Sequence, residues 1–247
     1  MREESLRIEE LGLAAWPALQ TLVYDGWVLR FAEGYTKRSN SVNPLYASTI
    51  ALEEKVAVCE GLYAERALPS IFKILEAASY EGIEALLAER GYASLDETSV
   101  RTMELGPKMG GAERAIKVEV EGAFDEAWVE GFCACSGKEA EAELVGRILK
   151  NVTSRKLVAR ASIDGRIVAC GYGALDRGWV GIFNVVVAKE HRGRGFGEGI
   201  MRAVLEASRA AGAGRAYLQV MVDNAPAAAL YEKLGFVEAY RYWYRKK

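Results

Sequence analysis

The chain has 247 residues, 51% of them hydrophobic, enough for one large or two small globular domains. Its formal net charge of −2 argues against a general nucleic-acid binder, which would carry a broad basic excess. The charged opening MREESLRIEE lacks the apolar core of a signal peptide, and no apolar stretch reaches the roughly 18–20 residues that span a bilayer, so a cytoplasmic protein with neither nucleic-acid nor membrane partners is expected.

Along the chain, TLVY and WVLRFA flank Asp25-Gly26, a two-residue hairpin signal. Residues 53–66 read as a helix, SIFKIL (70–75) as a strand, and GIEALLAER (82–90) as a helix stopped by Gly91. TSVRTMEL (98–105) reads as a strand. A Gly/Pro-rich break at 105–115 follows, predicting a first module at 1–107, a linker at 108–114 and a second module at 115–247. FDEAWVEGFCAC and KEAEAELVGRILKNV read as helices, and a second hairpin turns at Asp164-Gly165. After the apolar run WVGIFNVVVA come a helix at 198–211, a strand at 216–222, a short helix at 225–234 stopped by Gly235, and a last strand, EAYRYWYR. Its aromatic alternation predicts an inward-facing strand, and the final Lys-Lys is expected to be disordered. Hairpins preceding a single crossover define an α/β fold with a mixed sheet of the α+β type.

Both parts end on the same order of signals, and ALLAERGY (85–92) aligns without gaps on ALYEKLGF (229–236). This reads as a diverged internal duplication, although the shared ending is also a common way to stop a helix. At the position of Tyr231 the first part has Leu87, and before its first helix it has NSVNPLYASTIAL, without glycine. The four cysteines include a C-x-C pair that has neither zinc nor redox spacing, so reduced structural thiols are expected. The single histidine, His191, argues against a Ser-His-Asp triad and a multi-histidine metal site, and no metal is expected.

The chemistry concentrates in HRGRGFGEG (191–199), between an apolar strand and an amphipathic helix. A helix begins with N–H groups that have no partner, and its dipole places partial positive charge there. Glycines ahead of it allow positive φ and close approach of a ligand, which makes an anion site. Arg192 and Arg194 add charges suited to phosphate oxygens, so a diphosphate ligand is expected. The glycine spacing matches neither the dinucleotide fingerprint nor a P-loop.

Arg192, Gly195 and Gly197 do fit [Q/R]-x-x-G-x-[G/A], and NAPAAALYEKLGF (224–236) fits N-x-x-A-x-x-L-Y-x-x-x-G-F, beginning 32 residues after Arg192. Together these resemble the acetyl-CoA loop and second signature of the GNAT family of N-acetyltransferases, clearly over residues 115–247. More loosely, the whole chain resembles tandem GNAT proteins in which only the second of two modules keeps the cofactor loop. The resemblance implies an acetyl-CoA-dependent transfer to a primary amine, on a small molecule or a protein, by direct attack in a ternary complex. It implies backbone pairing of the pantetheine at Val185 and Val187. The amides of Gly193, Arg194, Gly195, Phe196, Gly197 and Glu198, beside Arg192, would hold the pyrophosphate. Asn224 reads both as a helix N-cap and as a cofactor contact. Tyr231 is the expected general acid for the departing thiolate. The position at which some family members carry a glutamate base is Gly181 here, so no base is assigned. That gap leaves a second reading, a CoA-binding regulatory module without turnover. Homodimerisation is left open.

Overall fold

The structure, a computed structural model, describes residues 2–76, 80–106 and 116–247. The expected linker at 108–114 lies outside the described residues. The backbone groups into two units, one comprising Met1–Val100, Val220–Ala225 and Glu238–Lys247, the other Arg101–Gln219 and Pro226–Val237.

The first unit opens with α1 (Arg2–Ala15) and the hairpin β1 (Gln20–Tyr24) and β2 (Trp27–Phe31). Asp25 and Gly26 turn it with φ of +40° and +82°, the paired left-handed geometry that matches strand twist. β3 (Val42–Pro44) runs parallel to β4 (Ile71–Leu75) and reaches it through α2 (Leu52–Ala64). α3 (Ile83–Glu89) and β5 (Ala93–Glu104) follow. Val56, Cys59 and Tyr63 of α2 and Ile83 and Leu87 of α3 pack with Trp27, Leu29, Phe72 and Ile74 in one core. Leu87, the counterpart of Tyr231, is wholly buried there.

The second unit contains β6 (Glu119–Glu121), α4 (Glu126–Ser136), α5 (Ala142–Lys150), β7 (Arg155–Ile163), β8 (Arg166–Asp176) and β9 (Trp179–Val187). Then come α6 (Phe196–Ala210), β10 (Arg215–Met221), α7 (Ala225–Leu234) and β11 (Val237–Lys246). β6 through β9 form an antiparallel meander, and β10 joins β9 in parallel through α6, the same β-α-β crossover as β3-α2-β4. The sheet is therefore mixed, as expected, with two crossovers where the sequence reading counted one. α6 buries Ile200, Met201, Val204 and Leu205. It approaches closely because Gly173 offers no side chain: a Cβ there would lie 2.8 Å from Val204. α4 supplies Trp128, whose ring meets Tyr172 edge-on and whose Nε1 donates to the Ala159 carbonyl at 3.0 Å.

Pairing departs from the linear division of the chain. β11 lies antiparallel to β4, from Tyr242↔Leu75 to Lys246↔Ile71, and so belongs with the first unit. The end of β5 belongs with the second: Leu105 donates to the Gly214 carbonyl at 2.8 Å, and Glu104 pairs with Arg215 at 2.7 Å. Each unit is completed by a strand from the other part of the sequence. The terminal lysines, expected to be disordered, are held: Lys246 closes β11, and the Lys247 amide donates to the Ser70 carbonyl at 3.3 Å.

Within the first unit, Lys73 of β4 and Glu9 of α1 form an ion pair with side chains only 6% and 1% exposed. Tyr240 donates to the other Glu9 oxygen at 2.8 Å, and the Lys73 ammonium lies 3.8 Å from the Tyr242 ring centre. Removing one member strands a buried charge. Lys73→Met is therefore expected to lose about 3–5 kcal/mol of stability in denaturant unfolding. The double change with Glu9→Gln is expected to recover much of that loss; additive losses would show that the pair is not coupled.

Candidate functional site

The site is built where β9 ends and α6 begins. β10 pairs with β9 only from Arg215↔Trp179 to Leu218↔Ile182, so residues 183–187 of β9 continue past the last register pair on that side. On the other side β9 bulges. Cys170 faces Val186 while Tyr172 faces Phe183, which sets Asn184 and Val185 against Gly171 alone. Asn184 takes φ +53° in the bulge, a conformation asparagine tolerates better than most residues. Val185 and Val187, the expected pantetheine partners, lie within and just beyond this bulge.

From Ala188 the chain makes a short turn at Lys189–His191, then Gly193 and Gly195 adopt φ of +71° and +85°. Gly195 is the N-cap of α6 and no side chain caps the helix. The first intrahelical bond runs from the Gly199 amide to the Gly195 carbonyl at 2.9 Å. Among the described residues, no backbone carbonyl accepts from the amides of residues 193–198. Among the described residues, a Cβ at Gly193 would meet nothing within 4 Å, and one at Gly195 only Ile116, at 3.5 Å. Phe196 contributes its amide to this row, while its ring is buried, edge-on to His191 at 5.8 Å.

The cations flank the row from local anchors. Arg192 donates through Nε to the Val187 carbonyl at 3.2 Å, and Arg194 Nη1 lies 3.1 Å from His191 Nδ1. Both arginines are exposed. Glu198 has a side-chain role that its backbone gave no reason to expect. Its carboxylate accepts from Lys233 of α7 at 2.7 Å and from Arg202 at 2.9 Å, and these bonds hold it below the ordinary carboxylate range. The i,i+4 spacing to Arg202 is visible in sequence; the partner 35 residues away is not.

Tyr231 stands on α7, whose Leu230 would contact a Cβ at Gly197 at 3.6 Å, so this helix packs on the first turn of α6. The tyrosine is half-buried, its ring edge-on to Phe236 at 6.2 Å, and its carbonyl accepts from the Phe236 amide at 3.0 Å. Burial raises its phenol above the ordinary value, so it stays protonated at neutral pH. Asn224 is exposed and immediately precedes α7, with its amide on the Met221 carbonyl at 3.0 Å. It falls in the first unit.

Gly181 has a physical explanation. A Cβ there would lie 2.4 Å from the Tyr217 hydroxyl and 2.5 Å from the Phe183 ring. Tyr217 is wholly buried and meets Phe183 edge-on at 5.9 Å. The volume a strand carboxylate would need is filled by an aromatic ring from β10. The four cysteines are free and buried, and burial pushes the Cys59 thiol up to about 12 and raises the other three. Among the described residues no His/Cys/Asp/Glu group could hold a metal ion, and no helix is long and apolar enough to cross a membrane.

The amide row opening α6 and the tyrosine on the adjoining α7 lie at the two sequence signatures that carry the GNAT resemblance. The chain belongs to the GNAT-family N-acetyltransferases and is an acyltransferase. Within that family, the group described as "Probable histone acetyltransferase Rv0428c C-terminal" matches residues 5–245. The chain is 31% identical over 247 residues to "Uncharacterized N-acetyltransferase YobR" of Bacillus subtilis (strain 168), covering 98% of each chain. In structure it resembles a GCN5-related N-acetyltransferase from Kribbella flavida, with a TM-score of 0.72, 16% identity, and coverage of 98% of this chain and 95% of that one. It also resembles a tandem GNAT protein from the clavulanic acid biosynthesis pathway, with a TM-score of 0.66 and 14% identity over 97% of this chain and 87% of that one. The last two likenesses concern the fold.

Proposed function

We propose that the chain transfers an acetyl group from acetyl-CoA to a primary amine, of a small molecule or a protein, by direct attack in a ternary complex. The observation that carries this is the row of amides at 193–198, which lacks backbone acceptors among the described residues and opens a helix behind two left-handed glycines. A diphosphate suits such a row: unpaired amides at a helix start donate to phosphate oxygens, and the left-handed glycines carry no Cβ. When bound, acetyl-CoA supplies an activated thioester carbonyl and a thiolate leaving group. The loop amides and the flanking arginines neutralise phosphate charge. The backbone of Val185 and Val187 offers strand-like pairing to the pantetheine amides. Tyr231 holds a proton at Oη for the departing sulfur. The four cysteines are buried thiols with raised proton affinity, which suits them to packing rather than to nucleophilic attack.

Isothermal titration with acetyl-CoA, followed by thiol release across a panel of primary amines, tests the proposal. Binding together with amine-dependent release of CoA is expected. Stabilisation by ATP or NAD but not by CoA would overturn it. Gly195→Val is expected to reduce acetyl-CoA affinity by at least about tenfold in a folded protein. A valine at φ +85° is strained by about 1–2 kcal/mol, so the loop that presents the amides would have to shift. Retained affinity in that variant would place the ligand elsewhere.

A further inference from the structure

The crossover β3-α2-β4 repeats β9-α6-β10, so the segment before α2 is the counterpart of the glycine loop. We infer that this segment is an oxyanion cradle that Asp25 fills from within the chain, which leaves the first unit closed to coenzyme A. The inference rests on the assignment of the glycine loop as the diphosphate site.

Five donors converge on Asp25. The Thr49 amide reaches its carboxylate at 2.9 Å, the Ile50 amide at 2.9 Å and the Thr49 hydroxyl at 2.9 Å. Ser48 donates its hydroxyl, and the Lys55 ammonium, on a side chain 1% exposed, pairs with the carboxylate at 3.2 Å. Lys55 also donates to the Asp25 carbonyl and to Ser48, and it sits 4.2 Å from the Trp27 ring centre. Two consecutive amides, two hydroxyls and a buried ammonium around one anion are the donor set that a phosphate or a free carboxylate would use. The hydrogen bonds from Ser48 and Ile50 hold the Asp25 carboxyl far below the ordinary carboxylate range, so the internal anion is present at any working pH.

The backbone closes the place as well. A Cβ at Gly26 would lie 2.1 Å from the Ala47 carbonyl oxygen and 2.8 Å from that of Tyr46, and the Tyr46 amide donates to the Gly26 carbonyl at 3.0 Å. The hairpin turn thus sits directly on the segment leading to α2. The second unit has the matching hairpin, Asp164-Gly165, but Asp164 is exposed and a Cβ at Gly165 would meet nothing within 4 Å. The same Asp-Gly turn is therefore used twice, once to fill the neighbouring loop and once to leave it open.

The test uses the full chain. Asp25→Gly suits the positive φ of that position while removing the anion. Its melting temperature is expected to fall by roughly 5 °C or more. Potassium acetate or inorganic phosphate should recover about half of that loss by binding the folded state. Potassium chloride at matched ionic strength should not, and the native chain should respond to none of them. An Asp25→Gly variant as stable as the native chain, or one equally indifferent to acetate, phosphate and chloride, overturns the inference. If Asp25→Gly does not yield folded protein, Asp25→Asn, which keeps the shape without the charge, is measured instead; an unchanged melting temperature there also overturns it. Titration of the native chain with CoA should give one site per chain. Two sites would overturn the inference. No site would overturn the proposed function and leave the anion experiment to decide this one.

Discussion

Tyr231→Phe is expected to bind acetyl-CoA with near-native affinity while kcat falls by roughly 10²-fold or more, the usual contribution of a positioned general acid. The phenylalanine keeps the ring against Phe236 and the carbonyl that accepts from its amide, so stability should barely change. Only the hydroxyl is lost. Its raised pKa keeps the proton on the phenol throughout the neutral range, and activity should decline only above the ordinary phenol value of about 10. A free thiol near ~8.5 would take that proton poorly. Desolvation raises the proton affinity of a sulfur leaving beside the phenol as it does that of the phenol, so the proton transfer stays modestly uphill. Turnover and KM measured across pH would check this. A variant with native turnover would remove Tyr231 from the chemistry.

The features legible in the sequence were those set by adjacent residues. Asp25-Gly26 and Asp164-Gly165 announce hairpins because few residue pairs accept two positive φ values in succession, and both turns form. The helix bounded by Asn224 and Gly235 spans Ala225–Leu234, as its start and stop residues indicated. α6 begins at Phe196, two residues before the sequence reading placed it, because glycine at 197 argues against helix by propensity while Gly195 at φ +85° supplies the cap. The features that were not legible depend on strand pairing and on side chains distant in sequence. Alternation in YRYWYR shows that one face of the last strand is buried, but nothing local says that it lies against β4. Gly181 reads as an absence until Tyr217 is seen filling its place. Asp25 reads as a turn residue and turns out also to be the ligand of a loop two dozen positions later. Glu198 reads as one amide of a loop, and its carboxylate ties that loop to the helix of Tyr231.

The strand exchange makes a second large effect testable. Residues 115–247 expressed alone, the segment that the sequence marks as the module with the loop, are expected to fail to fold into a CoA-binding domain. Without residues 101–106, β10 loses the strand end beside it, together with the bond from Leu105 to Gly214 and the Glu104–Arg215 pair. Without β4, β11 loses its register from Leu75 to Ile71, and Glu9 no longer receives the Tyr240 hydroxyl. Tyr240, Tyr242 and Tyr244 are buried in the full chain, and returning such rings to water costs on the order of 1.5–3 kcal/mol each. The sum approaches the roughly 5–15 kcal/mol by which a whole domain is stable. The unpaired edges left on β10 and β11 would add a tendency to aggregate. Coexpression of residues 1–106 with 115–247 should rescue both pieces, because each carries the strand the other lacks. The pair should copurify, unfold in one cooperative transition and bind CoA. A soluble, cooperatively folding, CoA-binding 115–247 fragment would show that the exchanged strands are dispensable.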